Sequence, residues 1–189
     1  MTIILASASP RRQELLRQVG CKFTVMVSDI VEDNSQDLAA QDLAMLQAKN
    51  KAVDVSSKAS IDAIVIGADT IVVLDGQVYG KPIDINDARQ TLMKLSGRQH
   101  QVITGIAVTY AGKVWTDYVV TSVCIANITN EQIENYLATG EPLDKAGAYA
   151  IQGIGALLVE NINGCYSNVV GLPLNRLSAI LRKAGVSLL

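Results

Sequence analysis

Short apolar runs alternate with longer stretches of helical character along nearly the whole chain, and this interleaving confines the fold to α/β architectures. Residues 3–6 read as a buried strand. Ser9 and Pro10 then read as the N-cap and first position of a helix closed by Gly20, with Leu15, Leu16 and Val19 on its apolar face. Residues 23–27 read as the next strand and the Ala- and Leu-rich stretch from about residue 37 to residue 55 as a helix. Residues 63–68 and 71–74 are strand-like, the first ending at an acid, Asp69, and Asp75-Gly76 is a hairpin turn. Asp84 is placed to cap a helix running to Leu95 and stopped by Gly97. Residues 101–110 and 113–128 read as long strands around Ala111-Gly112. Thr129 and Gln132 have the spacing of a capping box, so a helix to about Ala138 is expected. A strand at 157–162, a turn at Asn163-Gly164 and an amphipathic helix at 173–184 complete the chain. The hairpins add antiparallel pairs to strands linked by helices. The expected fold is a mixed-sheet α/β domain spanning residues 1–189.

Composition narrows the chemistry. The chain is 49% hydrophobic but only 4% aromatic, so its core must be aliphatic, as in covered sheets. A net charge of −2 gives no basic field for nucleic acid, and an anion must be held by a local group of cations. Cys21, Cys124 and Cys165 are widely spaced and form no C-x-x-C pair, which indicates neither a disulfide framework nor a zinc site. His100 is the only histidine, which weakens every mechanism that needs a histidine pair. With no leader-like start and no apolar run of membrane-spanning length, a cytoplasmic location without a membrane partner is expected.

Three stretches carry chemistry. In Ser7-Ala8-Ser9-Pro10-Arg11-Arg12, small residues close a strand and a helix begins at once. A helix N-terminus favours an anion, whereas two arginines in the first turn oppose the macrodipole. A phosphate bound by the guanidinium groups reconciles them, and a capped helix with two solvated arginines is the plainer alternative. In Gly67-Ala68-Asp69-Thr70 a carboxylate follows small residues, suited to hold a hard cation or activate water, or merely to cap a turn. Lys81 follows the hairpin as a further phosphate ligand or an ordinary surface lysine. The third stretch, residues 144–155, is rich in Gly and Ala and suits close approach of a ligand or a tight structural loop. There Gln152 could read a base edge, since its amide both donates and accepts. Glu32, in an acidic stretch, is a candidate metal ligand, and Lys51 a candidate cation on the long helix.

Five stretches resemble the Maf family of nucleoside triphosphate pyrophosphatases, in family order: residues 5–16 (LASASPRRQELL), 66–82 (IGADTIVVLDGQVYGKP), 96–105 (SGRQHQVITG), 141–155 (EPLDKAGAYAIQGIG) and 169–174 (VVGLPL). The resemblance implies an elongated Maf/ITPase-like fold of two lobes around a deep central cleft, a cytoplasmic location and a homodimer. It also implies hydrolysis of a nucleoside triphosphate with Mg²⁺ or Mn²⁺. It makes Asp69 the catalytic acid/base residue and assigns Arg11, Thr70 and Gln152 to substrate choice. Phosphate binding falls on Ser7, Arg12, Lys51 and Lys81, and metal binding on Glu32 and Asp69. Thr70 after the aspartate, with the loop around Gln152, is similar to the branch acting on dTTP and UTP. The family pattern usually has Asp-Glu where this chain has Val31-Glu32, and Leu-Ala where it has Gln47-Ala48. The alternative reading is a non-catalytic nucleotide-binding regulator of cell division or septum formation.

Overall fold

A computed structural model describes residues 2–34 and 36–188. Strand β1 (Thr2–Leu5) leads into helix α1 (Pro10–Gln18), then a two-residue strand β2 (Thr24–Val25) and the long helix α2 (Ala40–Lys58). Strands β3 (Ala63–Leu74) and β4 (Gln77–Tyr79) form a hairpin, followed by α3 (Ile85–Leu95). Strands β5 (Gln99–Tyr110) and β6 (Lys113–Ile125) precede α4 (Asn130–Ala138). Three 3-10 turns, Glu141–Asp144, Ala146–Ala148 and Gly153–Leu158, lead to β7 (Val159–Asn163), α5 (Tyr166–Val170) and α6 (Leu174–Lys183). The strands form one seven-stranded sheet ordered β2-β1-β3-β5-β6-β7, with β4 paired to β3. β1 is parallel to β2 and β3, whereas β4 and β7 are antiparallel to their neighbours, so the sheet is mixed as expected.

Local signals worked where the residues acting on one another are close in sequence. Asp75 and Gly76 both take positive φ, 51° and 77°, the geometry of a two-residue turn between the paired Leu74 and Gln77. Asp84 accepts from the Asp87 N–H at 2.8 Å and starts α3. Thr129 and Gln132 make both bonds of the capping box.

Several boundaries differ from expectation. Residues 63–68 and 71–74 are not two strands but one, because β3 runs straight through Asp69 and Thr70. Asp69 is only 4% exposed and paired, so its polarity does not end the strand. β2 shrinks to two residues, both of them exposed. β6 stops at Ile125, where a register irregularity lies and the Ala126 N–H turns to the Leu158 carbonyl. β7 begins at Val159, two residues late, because the preceding segment coils as a 3-10 turn. α5 was not expected, being too short to show a helical period.

The chain divides into two compact units: Met1–Asp69, Thr104–Val119 and Gly171–Leu189 in the first, Thr70–Ile103 and Val120–Val170 in the second. Each has its own core. In the first unit Ala48, Ala52 and Val55 of α2 pack with Ile4, Ala6, Val65 and Ala107. In the second, Leu92 and Leu95 of α3 pack with Ile133, Tyr136 and Leu137 of α4 and with Val72, Val102 and Val123. The aliphatic core predicted from composition is found in both.

Two glycines set how closely α2 lies on the first unit's strands. A Cβ on Gly67 of β3 would sit 2.2 Å from the Ala48 carbonyl oxygen, and one on Gly105 of β5 equally close to that of Ala44. Any side chain there would push the helix off the sheet. Alternation puts Gly67 and Asp69 on the same face of β3, so the gap that admits α2 also brings its side chains to Asp69.

Candidate active site

The site in the first unit begins with the parallel pairing of β1 and β3. Leu5 lies opposite Ile66, and the Ala6 N–H donates to the Ile66 carbonyl at 2.8 Å. β1 ends there while β3 continues to Asp69 and beyond. Asp69 thus lies mid-strand in its own strand, yet beyond the carboxyl end of its neighbour, where open α/β sheets gather ligands.

From α2, Lys51 reaches this position and joins two acids. Its Nζ donates to Asp69 Oδ1 at 2.6 Å and to Glu32 Oε1 at 2.7 Å. Lys51 is 8% exposed and Asp69 4%, so both charges are out of water and tolerable only because they are paired. Glu32, on the segment between β2 and α2, is about one-third exposed and forms the open side of the trio.

The loop after β1 supplies a second cation. The Arg12 guanidinium donates through Nε to the Gly171 carbonyl at 2.8 Å and through Nη1 to Ser7 Oγ at 3.1 Å. Ser7 Oγ also accepts from the Ser9 N–H at 3.2 Å, which fixes the turn ahead of α1. Ser9 holds the N-cap position with Pro10 behind it, as expected, but its side chain makes no cap bond, and the first turn carries no acid. Burial lowers the Arg12 pKa on balance, with Arg11 adding to the shift and the charges of Asp69 and Glu32 only partly offsetting it. These interactions put Arg12 within electrostatic reach of both acids, and a guanidinium stays charged throughout.

Of the residues singled out in the sequence, Ser7, Arg12, Glu32, Lys51 and Asp69 are therefore brought together in the first unit by bonds or by charge. Arg11 is half-buried beside Arg12 on α1. Thr70, Lys81 and Gln152 belong to the second unit. There the turn before Lys81 is tied to the Gly- and Ala-rich loop by a 3.0 Å bond from the Gly147 N–H to the Gly80 carbonyl. Glu141 fastens the far end of that loop. It accepts from the N–H groups of Gly155 and Ile154 at 3.0 and 3.1 Å and from the Tyr136 hydroxyl at 2.8 Å. Burial works to raise the Glu141 pKa, but those hydrogen bonds outweigh it and hold the carboxyl below its ordinary value.

The loop glycines turn out to serve this packing. A Cβ on Gly147 would meet Val72, one on Gly153 would meet Glu141, and one on Gly155 would meet Tyr136 and Ala150. The close approach expected of them is to the chain itself. His100 is also structural, buried with Nε2 at 2.7 Å from the Tyr149 hydroxyl and the two rings edge to face. No triad partner is among its described contacts.

Three contributors escaped sequence reasoning. Gly171 acts through a backbone carbonyl, which leaves no mark beyond its place in the 169–174 stretch. Glu141 opens the 141–155 stretch, and its residue type there gives no sign of the loop N–H groups it accepts from. Gln47 donates to the Asp33 carbonyl at 2.8 Å and braces the segment carrying Glu32. Its signal was available, since residues 47, 51, 54 and 58 fall on one polar stripe of a helix.

A protein of Alkaliphilus metalliredigens (strain QYMF) named dTTP/UTP pyrophosphatase is 52% identical over 184 residues, covering 96% of this chain and 95% of its own length. One of Clostridioides difficile (strain 630) with the same name is 48% identical, covering 97% and 95%. Among solved structures, the Staphylococcus aureus Ham1 protein matches with a TM-score of 0.53 at 14% identity, covering 97% of this chain and all 100% of that one, a likeness of fold alone. The profile described as Maf-like protein matches residues 2–184, and the chain belongs to the Maf family.

Proposed function

We propose that this protein hydrolyses dTTP and UTP between the α and β phosphates, releasing the nucleoside monophosphate and diphosphate. The observation that carries the proposal is the Lys51 ammonium gathering Asp69 and Glu32 within electrostatic reach of Arg12. The name shared by relatives at about half identity over nearly the full chain supports it. Asp69 accepts the proton of a water attacking the α phosphorus. The bond to the bridging oxygen breaks, and its electron pair leaves with the diphosphate. Arg12 and Lys51 offset the charge, and Ser7, whose oxygen already accepts two hydrogen bonds, has its own proton to give a phosphate oxygen.

Two carboxylates converging on one ammonium mark a point where positive charge is already held by oxygen ligands. No group of three or more His, Cys, Asp or Glu that could cage a metal exists among the described residues. The two converging acids match the one or two carboxylates through which Mg²⁺ or Mn²⁺ commonly binds alongside substrate phosphates. Glu32 and Asp69 would hold the cation, whose chemistry is neutralisation of phosphate charge. No described helix is long and apolar enough to cross a membrane. The three free cysteines suit the reducing cytoplasm that this reading assigns.

Arg11, Thr70 and Gln152 set substrate choice in this reading. Uracil and thymine present an acceptor, an N–H donor and an acceptor along one edge. The Gln152 amide supplies a donor and an acceptor to that edge, and cytosine mismatches it. An unpaired polar group costs ~1–3 kcal/mol. The test is kcat/KM across dTTP, UTP, CTP, GTP and ATP for wild type and Gln152→Ala, with and without chelator. Preference for dTTP and UTP that collapses in Gln152→Ala is expected, and all activity should stop with chelator. Equal efficiency on UTP and CTP contradicts the substrate assignment, and full activity in excess chelator contradicts the metal.

A further inference from the structure

Glu32 lies on a segment that has little apolar anchoring: Ile30 is 41% exposed and Val31 86%. Yet the segment has a defined course, because one stripe of α2 bonds to it repeatedly. Gln47 donates to the Asp33 carbonyl at 2.8 Å, and Lys51 to Glu32 at 2.7 Å. Asp54 accepts from Ser28 Oγ at 2.8 Å and from the Asp29 N–H at 3.0 Å, and Lys58 pairs with Asp29 at 2.8 Å. Steps of four, three and four residues keep these side chains on one helix face, next to the Ala44, Ala48 and Ala52 face that packs on the strands. The segment therefore runs antiparallel to the helix, with residue 28 near the helix end and residue 33 near its middle.

We infer that this stripe is a clamp holding residues 28–33, and that Gln47 is the positioning residue that sets Glu32 against Lys51 and Asp69. The inference rests on the role proposed above for Glu32. Burial decides which rung matters. The Asp29 side chain is 87% exposed in its pair with Lys58, and exposed ion pairs contribute little. Gln47 is 2% exposed, so its amide is satisfied inside the protein rather than by bulk water, and it holds the backbone next to Glu32 itself. A leucine would fill the space but leave the Asp33 carbonyl without this donor.

The experiment combines hydrogen exchange with a double-mutant cycle. Gln47→Leu keeps side-chain size, and Gln47→Met replaces it should the leucine variant not fold. Faster amide exchange across residues 28–33 is expected, with protection in α2 unchanged. UTP hydrolysis should fall ~10–100-fold, the usual scale for losing a group that orients a metal ligand. In a Glu32→Gln background the same change should cost nothing further, because Gln47 acts through Glu32. Lys58→Ala should alter neither reading appreciably. Unchanged exchange at 28–33, or rate losses that multiply in the double variant, would overturn the inference. Faster exchange in a protein whose wild type hydrolyses no triphosphate would leave the clamp standing and defeat the proposed function instead.

Discussion

Asp69 and Glu141 are carboxylates, one in each unit, the first buried and the second half-buried, and they are satisfied in opposite ways. Asp69 is held by a cation, the Lys51 ammonium at 2.6 Å, with Arg12 adding charge from further off. Glu141 is held mainly by uncharged donors, two backbone N–H groups and a tyrosine hydroxyl. A mobile cation on a side chain can give way to another cation or to a substrate. Backbone donors cannot leave without the loop unfolding. On the proposed function, the same functional group is a reagent in the first unit and a staple in the second.

The largest effect should come from removing the cation. Lys51→Met leaves Asp69 and Glu32 without the ammonium that joins them, and breaking a buried pair from one side costs ~3–5 kcal/mol. Urea unfolding at neutral pH measures it. A loss under about 1 kcal/mol, typical of an exposed pair, would break the contrast.

Acid should act on the second unit next. Burial holds the His100 pKa down from 6.5 to about 4, and in the protonated ring the Nδ1–H has no acceptor among the described residues. The unfolded chain therefore binds the proton first. Stability is fully present above pH 6.5 and is lost as pH falls toward 4, by about 3 kcal/mol in total. Glu141, whose folded pKa is depressed, adds a later loss as pH falls through its folded value. His100→Gln should flatten the first step in urea titrations run from pH 7 to pH 4. An unchanged profile would remove His100 as its source.

A smaller effect sharpens the comparison. Glu141→Gln keeps one carbonyl oxygen but turns an amino group toward backbone N–H donors, an expected loss of ~1–3 kcal/mol. Turnover per folded molecule should stay within a few-fold of wild type. Lost turnover at unchanged stability would make Glu141 part of the chemistry.

How much of this was legible follows from range. The Asp84 cap, the Thr129 capping box and the Asp75-Gly76 hairpin depend on neighbours within three residues, and each was found. The run of β3 through Asp69 was missed because the partner that makes a buried acid tolerable lies on α2. Ser7, Arg12, Lys51 and Asp69 could be singled out from residue type and the Maf resemblance. The place of Gln47 on the polar stripe of α2 was legible but its role was not, since an amide on a helix means little until the Asp33 carbonyl is seen beside it. Of the two readings of residues 144–155, ligand approach or a tight structural loop, the glycines favour the loop, because their close neighbours are Val72, Glu141 and Tyr136.

The central claim is that the carboxylate held by Lys51 performs the reaction. Its most direct test is UTP hydrolysis with Mg²⁺ by purified wild type and Asp69→Asn, with products resolved and thermal unfolding of both proteins recorded. Glu32 remains a partner for Lys51 in the variant, so the fold should survive. Wild type should release UMP and diphosphate in equal amounts, and the folded variant should be slower by ~10²–10⁴-fold. Undiminished turnover by folded Asp69→Asn, or release of UDP and orthophosphate by wild type, would contradict the account.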